Sequence, residues 1–202
     1  MHPVREQNKI NKRKAIIDAA IKLFSRNGYE QTSIEELARE AGVGKGTVYS
    51  YFQTKKEIVH AFCEAELDFT RSELAAHTNP ESSLQEQLLV IFMAEFKHIT
   101  ENRDFGRIYL QESVFPREHH GEADLEMQNQ YFEILYPIYR GAQRRGELRS
   151  DLELLHIAGH FWALHLLILS CWYNGMIPTK EAPEAMKTLI NQAVDGLKPP
   201  TI

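Results

Sequence analysis

Lys45, Thr47, Tyr49, Ser50 and Tyr51 fall within one short stretch, with Gly46 between the first two and Lys55 just beyond. Lysine can reach guanine acceptors or a phosphate oxygen. Threonine can bond a base edge or lay its methyl group on thymine. Tyrosine can donate to phosphate oxygens, as can the hydroxyls of Thr32 and Ser33 upstream. Lys55 is expected at the start of a further helix, beside free backbone N–H groups that attract a phosphate. Gly46, and Gly44 before it, leave the surrounding turn without bulk, so that its backbone can approach another surface closely. The chemistry on offer is recognition of a polyanion.

The elements that must position these residues are two short helices. Ile34, Leu37 and Ala38 give one apolar-periodic segment and Val48 and Phe52 another, with Ala41-Gly42-Val43-Gly44 between them. That is the outline of a helix-turn-helix, whose second helix enters the major groove of DNA. Ser33 with Glu36 fits a capping box at the first helix, and Thr32 with Glu35 fits one residue earlier. Upstream, Ile16, Ala20 and Phe24 lie on one helical line starting near Lys12, and Gly28 supplies a stop. Residues 1–10 read as a mobile arm. Lys12, Arg13 and Lys14 lie in the first turn expected for that helix, either on a solvated face or against phosphate.

Downstream, a long helix opens at Thr54 and runs to about His77. Further helices start at Ser82/Ser83, Asp104 and Glu122, the one from Glu122 containing Pro137. Two more cover Leu152 to about Tyr173 and Pro183 to about Val194. No strand pattern, repeat or low-complexity segment interrupts them, so the expected fold is all-α with about nine helices.

Composition is that of an ordinary globular chain: 202 residues, 43% hydrophobic and 25% charged, with a net charge of −5. The average hides an asymmetry. Residues 1–60 carry 11 Lys/Arg against 7 Asp/Glu, and residues 61–202 carry 12 against 21. A basic end on an acidic remainder suits an anion-binding part joined to a part with another task. Cys63 and Cys171 form no disulfide framework and read as buried thiols. The N-terminus has no apolar signal core, and the apolar run from Ile157 to Cys171 falls short of a membrane span. The expected compartment is the cytosol, with no membrane partner. No phosphate-cradling loop, nucleophile elbow or catalytic carboxylate pair is present, so neither an enzyme nor a cofactor is expected.

Residues 12–58 resemble the DNA-binding domain of the TetR family of bacterial transcriptional regulators. The resemblance is carried by Ala19-Ala20, Leu23-Phe24, Gly28-Tyr29, Thr32-Ser33-Ile34, Leu37-Ala38, Ala41-Gly42-Val43-Gly44, Lys45-Gly46-Thr47-Val48-Tyr49 and Tyr51-Phe52, with Lys55 and Ile58. Tyr51 stands where members of the family often have histidine. The resemblance implies a three-helix helix-turn-helix DNA-binding domain over residues 1–53. It further implies a helical ligand-binding and dimerisation bundle over residues 54–202. The implied partners are double-stranded operator DNA, a second copy of the chain and a small lipophilic effector. The implied activity is repression relieved by that effector.

Within the second region, Phe62, Phe92, Phe96, Tyr109, Phe132, Tyr136 and Trp162 are candidates for an effector pocket, against core packing as the plainer role. The resemblance places a dimer interface on the last two helices, here at Trp162, His165, Leu169 and Leu189. Leu152–Tyr173 supports it independently, being too apolar all round for a helix on a monomer surface. His156, His160 and His165, with His119 and His120 elsewhere, read as interface or core histidines rather than metal ligands. Glu95 falls in an apolar helix face, either at its edge or as a charge match for a cationic effector.

Overall fold

The computed structural model of the chain describes residues 3–101, 103–114 and 122–200. Among them are nine α-helices: α1 (Pro3–Asn27), α2 (Ile34–Glu40), α3 (Lys45–Tyr51), α4 (Lys55–His77), α5 (Leu84–Glu101), α6 (Arg103–Val114), α7 (Glu122–Arg144), α8 (Leu154–Tyr173) and α9 (Ala182–Leu197). A 3-10 turn, Thr179–Glu181, precedes α9, and no strand occurs among the described residues. Helix order and number agree with the sequence reading, and the start of α1 does not. Residues 1–10 were expected as an arm, yet α1 opens at Pro3, with Glu6 in its first turn. Proline suits a first turn and an acid suits the positive end of the helix dipole. Apolar periodicity cannot see this extension, because residues 5–12 are all exposed.

The chain packs as two compact units, Met1–Glu66 with His98–Met127 and Leu67–Lys97 with Gln128–Ile202. In the first unit, Ile16, Phe24, Leu37, Ala38, Val48 and Phe52 form the core read from the sequence, with Ile34 and Val43 packed at its margin. Ile58, Phe62, Cys63 and Phe105 complete it. The Phe105 ring stacks on Phe24 at 5.8 Å and meets Phe62 at 4.6 Å, so α6 and the first half of α4 share the core of α1–α3. The packing boundary therefore falls beyond residue 53. Gly28 ends α1 at φ 89° and Gly42 ends α2 at φ 68°, left-handed conformations that glycine adopts without a Cβ penalty.

The second unit includes α8 and α9 and the facing parts of α5 and α7. One face of α8 is buried through Ile157, Ala158, Phe161, His165, Ile168 and Leu169. Leu155, Trp162 and Leu167 remain exposed on the other. The apolar run is longer than the sequence reading counted. All 20 residues of α8 form a helix long and apolar enough, by length and composition, to cross a membrane. Its buried face, however, is packed into protein and carries His165 against Glu95 of α5.

Candidate nucleic-acid interface

The mount for α3 is α2, and its start is fixed by side-chain chemistry. Ser33 is the N-cap. Its Oγ accepts from the Glu36 backbone N–H at 3.2 Å, and the Glu36 carboxylate accepts from the Ser33 N–H at 2.9 Å and from its hydroxyl at 2.8 Å. The alternative cap at Thr32 is thereby decided against. Those bonds, the Ser33 backbone N–H first, lower the Glu36 pKa. A cap of this kind contributes about 1 kcal/mol. The Val43 N–H then donates to the Ala38 carbonyl at 2.9 Å, closing the turn before α3.

Helix α3 presents Lys45, Gly46, Tyr49 and Ser50 to solvent, with Thr47 and Tyr51 half-buried and Val48 pointing into the core. A Cβ built at Gly46 meets nothing within 4 Å, so this turn is bare on its outer side. Lys45 pairs with Glu35 of α2 and lies over the Tyr49 ring at 5.9 Å. The hydrogen bond between them lowers the Glu35 pKa and raises that of Lys45. Both side chains are exposed, so the pair is held weakly and can be exchanged for another anion. Ser50 donates to the Thr47 carbonyl at 2.7 Å, within its own helix. Tyr51 packs against the core of the first unit.

Two predicted contacts are placed elsewhere. Thr32 is 1% exposed, and its hydroxyl donates to the Gly28 carbonyl at 2.8 Å. It seals the end of α1, and its side chain faces inward. Lys55 donates to the carbonyls of Tyr29, Thr32 and Glu30 at 2.6, 3.1 and 3.3 Å, with its ammonium 4.7 Å from the Tyr29 ring centroid. It clamps α4 to the α1–α2 loop. The sequence signal, a lysine at a helix start, is the same for a phosphate contact and for a carbonyl clamp. Arg13 is likewise engaged, with Glu64 at 2.7 Å and over the Phe52 ring at 5.5 Å. Sequence reading missed Glu35 as the partner of Lys45, because the two stand ten residues apart on separate helices.

A substitution separates the two lysines. Lys55→Met is expected to cost about 1.5–3 kcal/mol of stability, the value of a charged hydrogen-bond set. It should leave the salt dependence of DNA binding unchanged. Lys45→Ala is expected to flatten the plot of log K against log salt by about 0.9 per lysine removed. Chemical denaturation and binding titrations at several salt concentrations read both. A flattened slope in Lys55→Met would return that residue to the phosphate contacts.

The effector candidates are divided between the two units. Phe62 and Tyr109 belong to the first unit, with ring centroids 6.3 Å apart. Phe92, Phe96, Phe132, Tyr136 and Trp162 belong to the second. Phe62, Phe92 and Phe96 are core residues, whereas Phe132 and Tyr136 form a half-buried stack at 5.0 Å. Trp162 is 37% exposed on the outer face of α8. An open groove of about 690 Å³ in the first unit, bordered by Phe24, Tyr29, Gln31, Asp104 and Arg107, contains none of the seven.

Of the dimer candidates, Trp162 faces outward and Leu189 is half-buried on α9. His165 and Leu169 are turned into the second unit, 2% and 1% exposed. They sit three and seven residues after Trp162, close to it around the helix, and lie just inside the buried face that Trp162 borders. His156 and His160 are exposed on α8, and His119 and His120 lie outside the described residues. No group of three or more His, Cys, Asp or Glu suited to a metal is assembled among the described residues. Glu95 is 6% exposed, so it is not at the edge of its face.

A capped α2, a glycine turn and an α3 whose bare outer face carries Lys45 and Tyr49 define a helix-turn-helix DNA-binding protein. Residues 16–62 match the family described as "Bacterial regulatory proteins, tetR family". The chain is 24% identical over 185 residues to the HTH-type transcriptional regulator SrpR of Pseudomonas putida, covering 88% of this chain and 81% of that one. It is 27% identical over 158 residues to IcaR, the HTH-type negative transcriptional regulator of the biofilm operon icaADBC in Staphylococcus aureus, covering 78% and 80%. The crystal structure of the transcriptional regulator FadR from Bacillus subtilis, in complex with stearoyl-CoA, shares the fold. Its TM-score is 0.72 at 20% identity, over 91% of this chain and 98% of that one. The match to that family spans residues 16–62, and with these relatives it supports a TetR-family regulator; the chain is a DNA-binding transcriptional regulator.

Proposed function

We propose that the chain is a homodimeric cytoplasmic repressor whose two α3 helices read successive major-groove faces of a pseudo-palindromic operator. The half-sites then lie about 34–36 Å apart, or a multiple of that. The observation that carries this reading is the outer face of α3, with Lys45 and Tyr49 exposed beside the bare turn at Gly46. Residues 1–53 act as the DNA-binding part. Residues 54–202 bind a lipophilic effector and hold the second copy, through the exposed apolar face of α8 together with α9.

Relief of repression follows from differential binding. The effector favours a conformer in which the two α3 helices no longer match the operator spacing, and it must bind that conformer more tightly than the DNA-competent one. Helix α4, running unbroken from Lys55 to His77, carries the change. The negative regulation by IcaR and the stearoyl-CoA bound to FadR support repression and a lipophilic ligand respectively.

Selection of DNA from a random pool by the purified protein tests the reading, since the recovered half-site and spacing fix the target and the dimer geometry together. On that operator, Tyr49→Ala and Lys45→Ala are each expected to abolish the footprint at physiological salt, with residual binding measurable only at lower salt, while the dimer persists. Intact footprints with both variants would sink the assignment of α3.

A further inference from the structure

Helices α5, α7 and α8 enclose a polar cluster inside the second unit that the DNA-binding reading does not use. Glu95, His165 and Tyr139 are all buried there. Glu95 Oε2 lies 3.3 Å from His165 Nε2, and the Tyr131 hydroxyl reaches the same oxygen at 3.5 Å. Every one of these contacts falls on Oε2. Glu95 Oε1, His165 Nδ1 and the Tyr139 hydroxyl are buried without a hydrogen-bond partner. Phe92 stacks on the His165 ring at 5.1 Å and Phe161 on Tyr139 at 5.9 Å, so the walls are aromatic. Buried polar atoms are nearly always paired, and three unpaired ones around a single carboxyl group weaken the fold unless something else uses them.

We propose that Glu95, His165 and Tyr139 form the recognition site for a protonated amine or amidinium group carried by a lipophilic effector. The proposal rests on the reading of residues 54–202 as the effector-binding part. Its chemistry follows from which atoms remain when Glu95 is a carboxylate. His165 Nε2–H and the Tyr131 O–H then both point at Oε2. That leaves Oε1, the Nδ1 lone pair and the Tyr139 oxygen as acceptors, the complement of a group rich in N–H donors. An anionic headgroup would meet the carboxylate. The aromatic walls also favour a cation.

In the empty protein the pair is neutral. The 3.3 Å separation would suit an ion pair, but burial raises the Glu95 carboxyl to about 8 and lowers the His165 imidazole. The further hydrogen bonds that a buried ion pair needs to offset its desolvation are missing. Among the described residues, the titratable groups facing Glu95 are Tyr131 and Tyr139 of α7 and His165 of α8. Entry of a cation therefore expels the Glu95 proton, about one per site near pH 7. The sign follows: affinity rises about tenfold per pH unit below the raised pKa and levels off above it.

Calorimetric titration of the full-length protein with decylamine, decanol and decanoic acid, in two buffers of different ionisation enthalpy, tests this. Decylamine is expected to bind at least about tenfold more tightly than decanol, with release of about one proton. Glu95→Gln should bring decylamine down to the level of decanol in the same variant and abolish proton release. Decylamine binding no tighter than decanol, binding that Glu95→Gln does not weaken, or binding without proton release each overturns the proposal. Binding of decanol or decanoic acid without preference for the amine would remove this site and leave the lipophilic-effector reading standing. Failure of all three to bind would remove both. Should Glu95→Gln fail to fold, proton release by the native protein decides.

Discussion

Gly46→Leu is expected to leave the protein at least as stable as before and to break its grip on DNA. The two halves of that result come from different physics. Gly46 is the second residue of α3, and an added Cβ meets nothing within 4 Å. A helix former therefore gains up to about 1 kcal/mol of helix propensity there without a clash. On DNA the same side chain stands between the helix backbone and the groove. Losing the close approach of the first turn, together with the contacts of Lys45 and Tyr49 that depend on it, is expected to weaken operator binding at least about 100-fold, or roughly 3 kcal/mol. Thermal melting and anisotropy titration read the two halves separately. A variant that melts normally and still binds the operator would remove the first turn of α3 from the interface.

The second large effect is expected in the second unit. Trp162→Glu combined with Leu167→Glu should convert the dimer to monomers. Trp162 is 37% exposed and Leu167 49%, so neither holds the core of the second unit together, and the fold should survive. Two carboxylates buried per protomer in an apolar interface, without partners, cost far more than such a contact can supply. Light scattering should then give the mass of one chain. Operator affinity should fall by about 10²–10⁴-fold, because each half-site is then held alone. A dimer that persists would place the interface off the outer face of α8.

Much of the first unit was legible because local signals and packing agree there. Ser33 and Glu36 stand at capping-box spacing, Gly28 and Gly42 stop helices, and Ile16, Phe24, Leu37 and Val48 recur at helical spacing. What was not legible concerns direction. Thr32 and Lys55 carry hydroxyl and ammonium groups that suit a phosphate equally well as a backbone carbonyl, and only the folded loop decides between them. On α8 the hydrophobic pattern is nearly uniform, so the sequence could not say that His165 and Leu169 turn inward while Trp162 turns outward. Glu95 was placed on an apolar face correctly, but its partners come from α7 and α8, tens of residues away in the chain.

Both tryptophans of the chain lie on α8. Trp162 faces outward from that helix, whereas Trp172 is half-buried, edge-on to Phe96 at 5.9 Å and bonded through its ring N–H to Thr179 at 2.9 Å. Fluorescence excited at the indole band therefore reports on α8 and its surroundings, while α1–α3 contribute no indole signal. The two emitters differ in polarity of environment, so a change around Phe96 and a change on the outer face of α8 shift different parts of the spectrum. The protein thus carries an internal optical probe of one half of its switch and is spectrally silent in the other.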